Sequence, residues 1–197
     1  MIRGRSAGRR GREASLTDEP SITTYRIDAD DVIQDVDAEW LQFAELNDTP
    51  GLSREAVVGR SLWDFIAGAE VEHIFKQIFE RCRERSSGAR VPFRCDSPTR
   101  TRRMILAIEP RPEQSLEVTS ILLAAEERDY VGLLDVKAER SDAILYSCSW
   151  CRRIQLPDGE WREMEPGVRA LDLFGEGPLP KLSHGICGDC QARTELG

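Results

Sequence analysis

The sequence predicts an α+β fold in which an antiparallel five-stranded sheet carries helices on one face, with a small four-cysteine module near the C-terminal end. Two observations lead to this prediction. Apolar residues recur with a period of two on both sides of one long segment that has the helical period. Two Cys-x-x-C pairs then follow, Cys148 with Cys151 and Cys187 with Cys190.

The first elements are predicted from their composition. Ile22–Ile27 and Val32–Val36 are rich in β-forming residues and are separated by four residues of turn character, which predicts a hairpin. Asp37 can then cap a short helix that carries Trp40 to Leu46 and ends near residues 47–51.

The long helix is the clearest element of the chain. Between Glu70 and Arg85, apolar residues form one stripe at helical period: Val71, Ile74, Phe75, Ile78, Phe79 and Cys82. Three runs of strand character follow, over residues 91–95, 104–109 and 116–122. A sheet whose period-two faces are buried against the helical stripe accounts for all of these segments.

The two cysteine pairs have the spacing of a tetrahedral metal site. Each pair puts two thiolates on one tight turn, and four thiolates are the ligand set of structural zinc. We therefore predict a structural Zn²⁺ held by Cys148, Cys151, Cys187 and Cys190. Thiolates repel each other until a dication neutralises them, so the module is expected to be ordered when metallated. A redox-active dithiol and an iron–sulfur site are the alternatives.

The gap between the pairs is longer than the roughly 15–20 residues of a compact zinc ribbon. A hairpin around Pro157-Asp158-Gly159, a short helix over residues 168–174 and an extended return are predicted to fill it. Trp150 and Trp161 are expected to pack over the module. His184 is an alternative ligand or a hydrogen-bond partner of a ligand. A closed four-thiolate site disfavours hydrolytic chemistry.

Composition divides the chain and limits its partners. Residues 1–20 predict a disordered basic arm, and the rest is strongly acidic, with a net charge of −8 for the whole chain. Such a body is a poor partner for phosphate backbones, so nucleic-acid binding is not expected. The absence of a long apolar run predicts no membrane span and a cytoplasmic protein. The predicted divisions are an arm at 1–20, a larger domain at 21–125, a linker at 126–147 and the metal module at 148–197.

The element order, together with residues 40–44, 58–66 and 93–98, resembles a bacterial PAS domain over roughly residues 21–125. The segment from Val58 to Ile66 carries most of the likeness. The second half is similar to the C-terminal cysteine module of some bacterial PAS and response-regulator proteins, although Gly188 stands where that pattern often has proline. The resemblance implies a sensor or interaction module that encloses a small ligand or forms a dimer contact.

Neither haem nor flavin is expected as the PAS ligand, whose identity the sequence leaves unknown. Haem-binding relatives use a histidine on the long helix, but His73 lies off the centre of the apolar stripe and is predicted at the surface. Photoadduct-forming flavin relatives need a reactive cysteine at a helix start. Cys82 lies late in the helix and Cys95 within a strand, so both are predicted as core thiols.

The sequence contains no phosphate-binding glycine loop, nucleophile elbow or well-placed catalytic histidine, and no enzymatic activity is expected. The favoured function is a non-catalytic signalling protein whose PAS-like domain senses a ligand or docks a partner such as a kinase or regulator, with a homodimer as a further expectation. One alternative is a thiol-based redox sensor that releases zinc on oxidation. Another is a transcription-associated factor that uses the basic arm.

Overall fold

A computed structural model describes residues 21–46, 51–173 and 177–195. The predicted basic arm at 1–20, the predicted helix end at 47–50 and Phe174 lie outside these residues. Within the described ranges, no helix is both long and apolar enough to cross a membrane.

Five antiparallel strands form the first sheet, in the order β2-β1-β5-β4-β3. The strands are β1 (Ile22–Ile27), β2 (Ile33–Val36), β3 (Ala89–Arg94), β4 (Arg100–Pro110) and β5 (Leu116–Glu127). The predicted hairpin is formed by β1 and β2, and the three later strands are all found. The last two are longer than predicted, because their apolar centres continue into charged ends that still pair with each other.

Three helices connect β2 to β3. They are α1 (Ala38–Leu46), the single turn α2 (Arg54–Val57) and α3 (Ala69–Arg85), with a 3-10 turn at Leu62–Asp64 between the last two. Asp37 caps α1 as predicted, since its Oδ1 accepts the backbone N–H of Trp40 at 2.6 Å.

The stripe on α3 is buried against the sheet. Val71, Ile78, Phe79 and Cys82 are all buried, with Phe79 fully so. They pack against side chains on one face of the sheet. These side chains include four that are fully buried: Ile27, Ile108, Leu116 and Val118. The predicted architecture, an antiparallel five-stranded sheet with helices on one face, is confirmed.

Residues 126–147 are not a free linker. They contain the end of β5, a 3-10 turn at Gly132–Leu134 and most of β6 (Arg140–Cys148). The linker was predicted because the apolar residues of this strand form one continuous run, 143–146, without alternation. Within the run Leu145 is buried, whereas Ile144 and Tyr146 are exposed.

A second, four-stranded sheet has the order β8-β7-β6-β9. It consists of β6 with β7 (Ile154–Gln155), β8 (Trp161–Arg162) and β9 (Leu179–Gly185), accompanied by α4 (Met164–Ala170) and α5 (Gly188–Glu195). β7 and β8 form the predicted hairpin, but β6 and β9 are parallel. Parallel neighbours need a crossover of a dozen or more residues, which explains the long gap between the cysteine pairs.

Helix α4 begins earlier than predicted and ends at Ala170, because Asp172 adopts a left-handed backbone conformation with φ of 51°. Gly167 lets this helix approach β7 closely, since a Cβ there would lie 2.5 Å from the side chain of Ile154. Ile154, Met164 and Val168 belong to a small separate core of the second unit.

Candidate metal centre

The two cysteine pairs converge at the ends of the second sheet. Cys148 is the last residue of β6 and Cys151 lies in the turn that follows. Cys187 precedes α5, and Cys190 lies in its first turn. The four Sγ atoms all lie within 4.8 Å of one another. The topology therefore brings together all four cysteines that the sequence assigned to a metal site.

The sulfur spacing fits a tetrahedral ion. A Zn–S bond of about 2.3 Å places neighbouring sulfurs of a tetrahedron about 3.8 Å apart. The Sγ atoms of Cys151 and Cys187 are 3.7 Å apart, and no cysteine of the described chain forms a disulfide. Cys148, Cys187 and Cys190 are buried, and Cys151 is partly exposed. The group can hold one ion with four sulfur ligands.

Backbone hydrogen bonds fix each cysteine turn. In the first turn, the N–H of Cys148 donates to the carbonyl of Arg153 at 2.8 Å, and the N–H of Arg152 donates to the carbonyl of Cys148 at 2.9 Å. In the second turn, the N–H of Cys190 donates to the carbonyl of Cys187 at 3.0 Å. These bonds hold each pair of sulfurs on one side of its turn.

Hydrogen bonding distributes charge unequally within the cluster. Donation from the Cys151 thiol, and from the backbone N–H of Cys187 at 3.4 Å, lowers the pKa of Cys148 well below its ordinary value despite burial. The same bond to Cys148 raises the pKa of Cys151, and burial raises that of Cys190. Without a cation, Cys148 is therefore favoured as a thiolate over Cys151 and Cys190, whereas a bound dication would favour four thiolates.

An arginine outside the cluster joins the elements that carry it. Arg153 Nε donates to Glu163 at 3.0 Å, and its Nη1 donates to Asp189 at 2.8 Å. These bonds raise the pKa of Arg153. They connect the first cysteine turn to the start of α4 and to α5.

The cluster is also packed against the first sheet and its long helix. Trp150, between the cysteines of the first pair, is 5% exposed and lies against Phe75 of α3. Its carbonyl accepts the N–H of Arg94, at the end of β3, at 2.7 Å. Three of the four cysteines and Trp150 belong to the same hydrophobic cluster as the core of the five-stranded sheet and α3. Trp150 was expected to cover its own module, but it joins that module to the other domain.

The remaining candidate residues lie elsewhere. His184 is half-buried on β9 and is not a member of the sulfur cluster. His73 is exposed, as predicted. Cys82 is buried in the core, as predicted, but Cys95 follows β3 and is only partly buried, because the strand ends at Arg94.

The sequence analysis missed a buried charge cluster that also joins the two units. Asp96, whose side chain is fully buried, accepts from Arg94 at 2.5 Å and from Arg128 at 3.2 Å. The two arginines in turn contact Glu163 at 2.9 Å and Glu165 at 2.7 Å, at the start of α4. Arg94 and Asp96 are close in the sequence, but in every other contact of this cluster the two partners are 32 or more residues apart along the chain. No local sequence pattern could therefore have revealed the cluster.

Comparison with known proteins gives structural similarity alone. No family model matches the chain, and no curated protein matches it. A domain of an HTR-like protein from Haloarcula marismortui is similar, with 13% identity and a TM-score of 0.38, over 53% of this chain and 100% of the other. The photoactive yellow protein domain of the sensor histidine kinase Ppr from Rhodospirillum centenum has 16% identity and a TM-score of 0.40, over 55% of this chain and 98% of its own.

Proposed function

We propose that this chain is a non-catalytic signalling protein in which a PAS-like sensor domain is joined to a structural zinc site. The observation that carries the proposal is the shared core: cysteines of both pairs and Trp150 pack in the same cluster as the long helix of the sensor domain. A shift of α3 caused by a ligand or partner would therefore reach the metal module directly. The partner that we propose is a signalling kinase or regulator, as the PAS resemblance implies.

The donor set supports a structural role for the metal. Four cysteine sulfurs complete a tetrahedron, so a bound Zn²⁺ would have no open position for a substrate or a water. Three of the four ligands are buried, which also limits access to the ion. The metal would hold the two cysteine turns together, with chemistry limited to neutralising the thiolates.

Native mass spectrometry of protein purified under reducing conditions tests the proposal. We expect one zinc ion per chain, retained by Cys95→Ser and lost from Cys187→Ser. Cys95 is the matched control because it is a partly buried cysteine outside the cluster. The same spectrum reports the number of chains and any retained organic ligand. A metal-free protein with four titratable thiols in the cluster would contradict the zinc site.

Redox sensing is a second candidate function, favoured by the 3.7 Å separation of the Cys151 and Cys187 sulfurs. Hydrogen peroxide would oxidise these two thiols to a disulfide and be reduced to two molecules of water, with loss of two sulfur ligands. Zinc release in proportion to disulfide formation under mild peroxide would support this function. If zinc is retained under the same peroxide, the redox function is contradicted and the site has a structural role only.

A further inference from the structure

A cavity of about 450 Å³ lies where three elements meet: the C-terminal half of α3, the edge strand β3 and helix α5. Its wall includes Trp150 and Cys190 from the cysteine module as well as Ile78 and Val91 from the sensor domain. The cavity is thus built by both units. Its volume falls within the range of about 300–1,000 Å³ that is typical of sites for small organic molecules.

The floor of the cavity is apolar. Ile78, Cys82, Val91 and Trp150 line it, and each is at least nine-tenths buried. Such a surface offers contact area for an apolar body and gains free energy when that body displaces water. The floor alone would accept an uncharged ligand.

The rim of the cavity is cationic. Four exposed arginines line it: Arg81, Arg85, Arg90 and Arg193. Among the residues that the structure describes, no carboxylate lines the cavity and none forms an ion pair with any of the four arginines. In a chain with a net charge of −8, four cations around one opening without an acidic partner favour an anion from solution. Guanidinium groups bind carboxylates in a two-point geometry.

Trp150 carries an unsatisfied donor. The indole Nε1 of Trp150 is buried and has no hydrogen-bond acceptor among the described residues. A buried N–H without an acceptor is costly, and native proteins rarely leave one unpaired. This atom has almost no accessible surface, so it is not a contact for a ligand in the cavity. The polar contacts of a ligand would be at the rim, where an anion would relieve the repulsion among the arginines.

We propose that this cavity binds a small organic anion, a carboxylate with an apolar body the size of a medium-length alkyl chain. The carboxylate would lie among the rim arginines, and the alkyl chain would lie on the floor formed by α3, β3 and Trp150. An occupant contacts the sensor helix and the cysteine module at once. The proposed ligand site does not depend on which metal the cysteines bind. A test of ligand binding is therefore separate from a test of the zinc assignment.

Isothermal titration calorimetry of the full chain, as purified with its metal, tests the site with three probes of equal chain length. We expect decanoate to bind with a stoichiometry of one. Decan-1-ol should bind more than about 10-fold more weakly, because it lacks the charge that all four arginines attract, and decyltrimethylammonium should not bind detectably. Equal binding of decanoate and decan-1-ol would overturn the role of the arginines. No binding of decanoate would overturn the site.

Variants separate this site from general surface charge. Arg85→Gln combined with Arg193→Gln should weaken decanoate binding about 10-fold, at about 3-fold for each exposed arginine. Arg169→Gln, an exposed arginine on α4 outside the cavity, is the matched control and should leave the affinity unchanged. Ser87→Trp, which places a large ring in the lining, should abolish binding. Thermal unfolding verifies that each variant is folded, and unchanged affinity in the folded double variant would overturn the proposal.

Discussion

The indole ring of Trp150 lies against the phenyl ring of Phe75, with 5.2 Å between the ring centroids and 31° between the ring planes. The ring centroids of Phe75 and Phe79 are 5.8 Å apart, and Phe79 is fully buried in the core between α3 and the five-stranded sheet. Trp150 stands between Cys148 and Cys151 in the sequence. The turn that carries Cys148 and Cys151, two of the candidate metal ligands, therefore packs on α3. The apolar stripe of this helix also fills the core beneath the five-stranded sheet.

Phe75→Ala should destabilise the protein and loosen the cysteine cluster together. We expect a loss of about 2–4 kcal/mol in the free energy of unfolding, because the change removes a half-buried ring and two aromatic contacts. Urea unfolding followed by circular dichroism measures this loss. Transfer of metal to a chromogenic chelator should become at least about 3-fold faster. Gln77→Ala, at an exposed position of the same helix, is the control, and an unchanged transfer rate in Phe75→Ala would contradict the anchoring role.

Local signals were sufficient to predict the elements that these contacts join. The stripe on α3 predicted a helix from Glu70 to Arg85, and the helix spans Ala69–Arg85, because a run of this length with a regular period leaves few alternatives. The four cysteines could be grouped from their spacing alone. The parallel pairing of β6 with β9 could not be predicted, because the paired residues, such as Cys148 and Gly185, are far apart in the sequence. Phe75 could be assigned to a core, but nothing local indicated that Trp150 would cover it.

Asp96→Asn tests the buried charge cluster. The carboxylate is fully buried and accepts from two arginines, and Arg128 is only 4% exposed. The amide keeps the shape but removes the one buried counter-charge, and each arginine then keeps only a partly exposed glutamate, Glu163 or Glu165. We therefore expect a loss of about 3 kcal/mol in the free energy of unfolding. Glu126→Gln is the matched control, since Glu126 forms an ion pair of 3.7 Å with Arg103 in which both side chains are exposed. If both variants lose the same small amount, the buried cluster contributes no more than a surface pair.

Gly68→Ala tests the contact between the start of α3 and β9. Gly68 has a φ of 100°, and a Cβ there would lie 3.0 Å from the backbone carbonyl oxygen of His184. Backbone strain alone should cost about 1 kcal/mol, and the contact should add to it, for a total of about 2–3 kcal/mol. Gly59→Ala separates the two effects, because Gly59 has a φ of 83° and a Cβ there would meet no atom within 4 Å. Equal losses in the two variants, measured by urea unfolding, would show that β9 does not restrain the helix start.

His184 should make the stability of the protein depend on pH. Burial, and secondly the cation of Arg152, lower the pKa of His184 below its ordinary value of 6.5. As the pH falls through 6.5, the unfolded chain takes up a proton that the folded chain still rejects, so the free energy of unfolding decreases until the lower, folded-state pKa is reached.

Urea unfolding at pH 7.5, 6.5 and 5.5 in excess zinc, compared with His184→Gln, measures this effect. Protonation of the cysteine thiolates lowers the stability of both proteins alike, so the difference between them isolates the imidazole. The unmodified protein should lose more stability than the variant over this interval, because only its histidine is neutral in the fold and charged in the unfolded chain. Parallel pH profiles would mean that His184 is solvated in the folded protein and that the elements packed against β9 do not bury it.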